Sequence, residues 1–146
     1  MKPILYKSTN NPGDRVNFET ALLRGLAPDY GLYTIPRQEI PALSASEIDG
    51  MKGKSYAETA LQVLAPYLLP EIPSGALQAL LEDAYREEKI PTEIQHVTDR
   101  TYIMWLTKGP TYSFKDYAAR FFGRTLNYFL GRRLRGHVPA LKAKQK

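Results

Sequence analysis

Lys115 is the residue of this chain whose type and setting best suit covalent chemistry. It lies in the octapeptide Gly109-Pro110-Thr111-Tyr112-Ser113-Phe114-Lys115-Asp116. Ahead of it, residues 101–107 are rich in β-branched and aromatic side chains and predict a strand. Behind it, Phe114, Tyr117, Ala118, Phe121, Phe122, Phe129 and Leu130 recur at helical spacing and predict a helix over 114–131. The octapeptide is then a strand-to-helix turn. Ser113 is placed as N-cap, Asp116 completes a capping-box pattern, and Lys115 falls in the first helical turn. A cation is unexpected there, because the helix dipole and the unpaired N–H groups favour negative charge. The same field favours a neutral amine, which attacks carbonyls. On residue types alone, such a lysine is more often simply solvated.

The elements that must position this turn are mostly helical. The chain opens with a short strand over residues 4–9, then a turn at Asn10-Asn11-Pro12-Gly13-Asp14. Asn17 caps a helix that runs to Arg24 and stops at Gly25. Residues 32–35 are strand-like. Ser44 with Glu47, and Ser55 with Glu58, are capping pairs that open two helices, the second ending before Pro70. Another helix starts at Ser74, with Leu77, Leu80, Leu81, Ala84 and Tyr85 inward. Its outward row of Glu82, Asp83, Arg86, Glu87 and Glu88 reads as a solvated face, not a set of convergent metal ligands.

Composition sets the outer bounds. A chain of 146 residues with 43% hydrophobic content can bury the core of one domain. No apolar run approaches the ~18 residues of a membrane span, and the first residues lack a signal-peptide core. Without cysteine there is no disulfide framework, and His96 and His137 follow no ligand spacing, so no metal is expected. The simplest location is cytoplasmic. Residues 120–146 hold 8 Lys/Arg and no acid, against 12 Lys/Arg and 15 Asp/Glu before them. Arg120, Arg124 and Arg132 read as the solvated side of the last helix, and charge alone is weak support for nucleic-acid binding.

Two stretches together resemble a known family. Gly109-Pro110-Thr111-x-x-Phe114-Lys115-Asp116-Tyr117 is similar to the G-P-T-x-x-F-K-D-F segment of threonine synthases, with Tyr117 in place of phenylalanine. Tyr6, Ser8 and Thr9, then Gly25 to Asp29, then Gly31-Leu32-Tyr33, resemble that family's Y-x-S-T and G-L-A-P-D-G-G-L-Y segments. Tyr30 replaces a glycine, a change that bears on the turn, since glycine reaches positive φ at little cost.

The resemblance implies an α/β fold, the amino-terminal part of a fold-type II (tryptophan synthase β-like) pyridoxal-phosphate enzyme, incomplete here. It divides the chain into an amino-terminal domain over 1–100, the strand and cofactor-lysine helix over 101–131, and a basic tail over 132–146. In the family the matching lysine, here Lys115, holds pyridoxal phosphate as a Schiff base and moves protons while O-phosphohomoserine and water become threonine and phosphate. Thr111 and Ser113 beside it are expected to serve the turn and the cap. The family's glycine-rich phosphate cup lies further along than this sequence reaches. The resemblance therefore implies an amino-terminal piece, inactive alone and binding the cofactor weakly at best. Expected partners are O-phosphohomoserine in the complete enzyme, a complementing carboxy-terminal chain, and a second copy through Phe121, Phe122, Phe129 and Leu130 left open on the last helix. Neither a membrane nor nucleic acid is expected. A non-catalytic interaction protein that kept the amino-terminal fold is the alternative.

Overall fold

Three helices begin at the side-chain caps that the sequence predicts. The computed structural model describes residues 3–86 and 88–137, so Glu87 of the outward acidic row and residues 138–146 of the basic stretch lie outside the described residues. Asn17 accepts from the Thr20 N–H at the head of α1 (Phe18–Arg24), which stops at Gly25 with φ 74°. Ser44 and Ser55 each close a full capping box, with Glu47 in α2 (Ala45–Asp49) and Glu58 in α3 (Tyr56–Leu68). Pro73 leads into α4 (Ser74–Ala84). The last helix, α5 (Asp116–His137), packs on α4 and α1.

The core forms where these helices meet. Leu68 from α3, Ile72, Leu77 and Leu81 from α4 and its approach, and Phe129 from α5 are buried together. Each such side chain removed from water contributes about 1.5–3 kcal/mol. Glu71 sits at the same junction and accepts from the N–H groups of Phe18 (2.8 Å) and Glu19 (3.0 Å). Its carboxylate thus satisfies two of the N–H groups that the start of α1 leaves without partners.

The amino-terminal strands form one antiparallel sheet in the order β2 (Arg15–Val16), β1 (Tyr6–Ser8), β3 (Tyr33–Thr34). Here the two amino-terminal motif segments lock onto each other. Buried Ser8 donates its hydroxyl to Asp29 (2.7 Å), Leu32 N–H donates to Thr9 Oγ1 (3.0 Å), and Thr9 N–H donates to the Leu32 carbonyl (2.9 Å). Gly31 is required by this contact, because a Cβ there would lie 2.0 Å from Ser8 Oγ. Tyr30 keeps the left-handed backbone of the turn at φ 62°, so the tyrosine is accommodated with some strain and the turn survives.

The second sheet is a hairpin of β4 (Glu93–Thr98) and β5 (Thr101–Trp105), with Glu93 opposite Trp105. The sequence predicts β5 but not β4, whose Ile94 and Val97 are separated by Gln95 and His96 and show no alternation. Both strands are exposed throughout.

The last helix departs from expectation in three ways. It begins at Asp116, not Phe114, and continues past residue 131 through Arg132 and Arg133 to His137. Phe129 is fully buried and Phe121 packs against the core, while Phe122 (51%) and Leu130 (44%) stay exposed. The apolar face is thus half covered by the chain's own α1 and α4. Nor are its arginines merely solvated. Arg120 Nε donates to the Ala84 carbonyl (2.6 Å) and Arg124 Nε to Asp83 (2.5 Å), so Asp83 is not simply part of a solvated row. Arg132 and Arg133 both bind the largely buried Glu19 carboxylate, Arg133 at 2.7 Å.

Candidate functional site

The turn between β5 and α5 is built around one carboxylate. Asp116 is buried, and its two oxygens accept from the Thr111 N–H (2.9 Å) and the Thr111 hydroxyl (2.7 Å). The Thr111 hydroxyl and then its N–H hold the Asp116 carboxyl below the usual carboxylate range. Gly109 lies directly under this contact. A Cβ there would stand 2.5 Å from Asp116 Oδ2, so only glycine lets the loop approach. Tyr112 turns the chain at φ 59°, and its N–H donates to the Gly109 carbonyl (3.0 Å).

This geometry corrects the predicted cap. Asp116 reaches back five residues to Thr111 and forms no capping box with Ser113. The Ser113 hydroxyl instead accepts from the Lys115 N–H (3.3 Å), and the Ser113 carbonyl accepts from the Asp116 N–H (3.0 Å). Lys115 therefore occupies the position just before the helix, its carbonyl taking the first helical bond from Ala119 N–H (2.8 Å). Its side chain is exposed, with Nζ 4.2 Å from the centre of the exposed Phe114 ring.

The next residue ties the turn to the rest of the molecule. Buried Tyr117 donates its hydroxyl to the Pro91 carbonyl (2.8 Å), with the Trp105 carbonyl 3.4 Å away. The ends of the hairpin thus meet at the start of α5. Tyr85 of the α4 cap donates to the Tyr117 carbonyl (2.9 Å), and burial, then the neighbouring Tyr56, pushes its phenol up to about 12. Burial and then the Asp116 charge raise the Tyr117 phenol as well. The sequence pattern marks position 117 as an aromatic ring and gives no partner for its hydroxyl; the tyrosine where the resembling pattern has phenylalanine is the local signal of this anchor.

Chemically, the arrangement offers an accessible primary amine on a backbone turn held by Asp116 and Tyr117. An amine reachable from solvent can attack a carbonyl carbon such as the aldehyde of pyridoxal phosphate. The cations next along α5 face elsewhere, since Arg120 and Arg124 both donate into α4. Among the described residues, no group of three or more His, Cys, Asp or Glu side chains is gathered to hold a metal, and no helix is long and apolar enough to cross a membrane.

A family model described as the threonine synthase N terminus matches residues 5–85. The chain belongs to the threonine synthase family. Threonine synthase of Schizosaccharomyces pombe is 35% identical over 133 residues, covering 89% of this chain and 26% of that protein. Among solved structures, the PLP-bound threonine synthase of Brucella melitensis is 34% identical with a TM-score of 0.80, covering 89% of this chain and 28% of its own. Yeast threonine synthase is 31% identical with a TM-score of 0.77, covering 97% of this chain and 29% of its own. The fold is therefore the α/β arrangement of the amino-terminal part of threonine synthases. This chain spans about a quarter of the length of the curated relatives it matches. The family-model match ends ahead of the Lys115 turn.

Proposed function

We propose that this chain supplies the cofactor-lysine end of a threonine synthase site, with Lys115 as the anchor for pyridoxal phosphate and O-phosphohomoserine as the substrate of the completed site. The observation that carries this reading is the Gly109–Asp116 turn, which presents the Lys115 amine to solvent from a strand-to-helix junction pinned by Asp116 and Tyr117. Pyridoxal phosphate, when bound, supplies the electron sink for chemistry at the substrate carbons. Lys115 Nζ would bind its aldehyde carbon covalently, the aldehyde oxygen leaving as water, and, once displaced by the substrate amine, would hold and deliver a proton. The Phe114 ring flanks the amine, and the Thr111 hydroxyl is committed to Asp116 and unavailable as a second acid or base. Residues that grip the phosphate and the substrate belong to the remaining length of the relatives, so the chain alone is expected to bind weakly and turn over nothing.

The test is pyridoxal phosphate added to the purified chain, followed by borohydride reduction and peptide mapping. Label concentrated on Lys115 is expected. Label spread evenly over the other lysines would overturn the anchor and favour a non-catalytic interaction protein. Phosphate release from O-phosphohomoserine by this chain alone, above a Lys115→Ala control, would overturn the need for further residues.

A further inference from the structure

We infer that Asp116 is a positioning residue for the Lys115 amine, acting through Thr111; this rests on reading Lys115 as the anchor. The residues between Gly109 and Asp116 are held by few contacts of their own: one turn bond from Tyr112 to Gly109, and the Ser113 bonds at the helix entry. What closes the loop on itself is the pair of bonds from Thr111 to the Asp116 carboxylate, seated against Gly109 where no side chain fits. Hydrogen bonds to an ionised carboxylate are roughly twice as strong as neutral ones. They also oppose the strain of Tyr112 at φ 59°, which would relax if the loop were released.

The consequence reaches Lys115 through the backbone. With the carboxylate turned back to Thr111, no capping box forms at Ser113, and Lys115 stands as the last residue before α5. A residue at the cap is not in helical backbone, so a helix that began two residues earlier would change the backbone of Lys115 itself and re-aim its stem. Without the Thr111 bonds, Asp116 is free to act as the third helical residue behind a Ser113 cap, the arrangement that local sequence favours. Asp116 thus selects between two helix starts, and only one of them presents the amine as seen here.

The experiment measures where pyridoxal phosphate labels the full chain after borohydride reduction, for the natural chain, Thr111→Val, Thr111→Ser and Asp116→Asn. Helical circular dichroism and the unfolding midpoint are followed in parallel. Thr111→Val removes the hydroxyl but keeps the shape, and is expected to lower the share of label on Lys115 about tenfold, the worth of one hydrogen bond to a charged group. Thr111→Ser restores the hydroxyl and is expected to restore the label. If the natural chain labels Lys115 selectively while folded Thr111→Val and Asp116→Asn label it equally well, the positioning role is overturned and the anchor stands. If the natural chain shows no selectivity, the anchor itself falls and the positioning role with it. Should Asp116→Asn fail to fold, the two Thr111 variants decide the matter alone.

Discussion

At the scale of single residues, Tyr117 shows how a substitution that looks conservative adds a connection. A phenylalanine would fill the same buried space, but only tyrosine can donate to the Pro91 carbonyl across the base of the hairpin. Tyr117→Phe is expected to cost about 1 kcal/mol in urea unfolding, the net worth of one neutral hydrogen bond plus a share for the carbonyl left behind. Amide exchange should quicken in β4 and β5 more than in α3. An unchanged unfolding midpoint with unchanged hairpin exchange would show that the bond contributes nothing. The Lys115 motif itself was legible as a string of residue types, yet the local rule misjudged its cap. That rule compares Ser113 with the residue three places on and has no knowledge of Tyr112 at positive φ or of Gly109 pressed against Asp116. Both are properties of the folded loop, and they hand the carboxylate to Thr111.

At the scale of elements, the caps that depend on near neighbours were legible and those that depend on distant ones were not. Asn17, Ser44 and Ser55 bond within three residues, so their pattern is written in the sequence. Glu71 caps α1 from more than fifty residues away, and nothing local marks it. Periodicity likewise names the apolar face of α5 without saying which part of it is covered. The structure covers Phe129, whose ring lies 6.0 Å from Phe18 and 5.3 Å from Tyr128, and leaves Phe122 half exposed. Phe129→Ala is therefore expected to destabilise the chain by about 3–5 kcal/mol, while Phe122→Ala should stay within about 1 kcal/mol of the natural chain. Equal losses from the two variants in denaturant unfolding would place the helix in the wrong rotational phase. Exposed Phe122 and Leu130 remain available for self-association, but the surface they offer is smaller than the four-residue patch expected from sequence.

At the scale of the whole molecule, two tyrosines join its parts and both are tuned by burial. Tyr6 links the first sheet to α1 through its ring contact with Phe18 at 5.9 Å, and burial, then the Glu71 charge, pushes its phenol up to about 12. Tyr85 links α4 to the start of α5, with its phenol likewise near 12. A phenol in the unfolded chain ionises near pH ~10. Below that pH both groups are neutral in either state, and their contribution to stability is fully present. Between about pH 10 and 12 the unfolded chain loses these protons while the folded chain keeps them, so stability falls as pH rises. The unfolding midpoint in urea should therefore decline over that window together with the helical signal. Tyr85→Phe separates the cause from general alkaline repulsion. The variant lacks the bond to the Tyr117 carbonyl and is expected to start about 1 kcal/mol less stable at neutral pH. It also lacks one of the shifted protons, so its decline from pH 10 to 12 should be shallower and the two curves should converge. Curves that stay parallel across the window would show that the Tyr85 phenol is not what the alkaline transition reports.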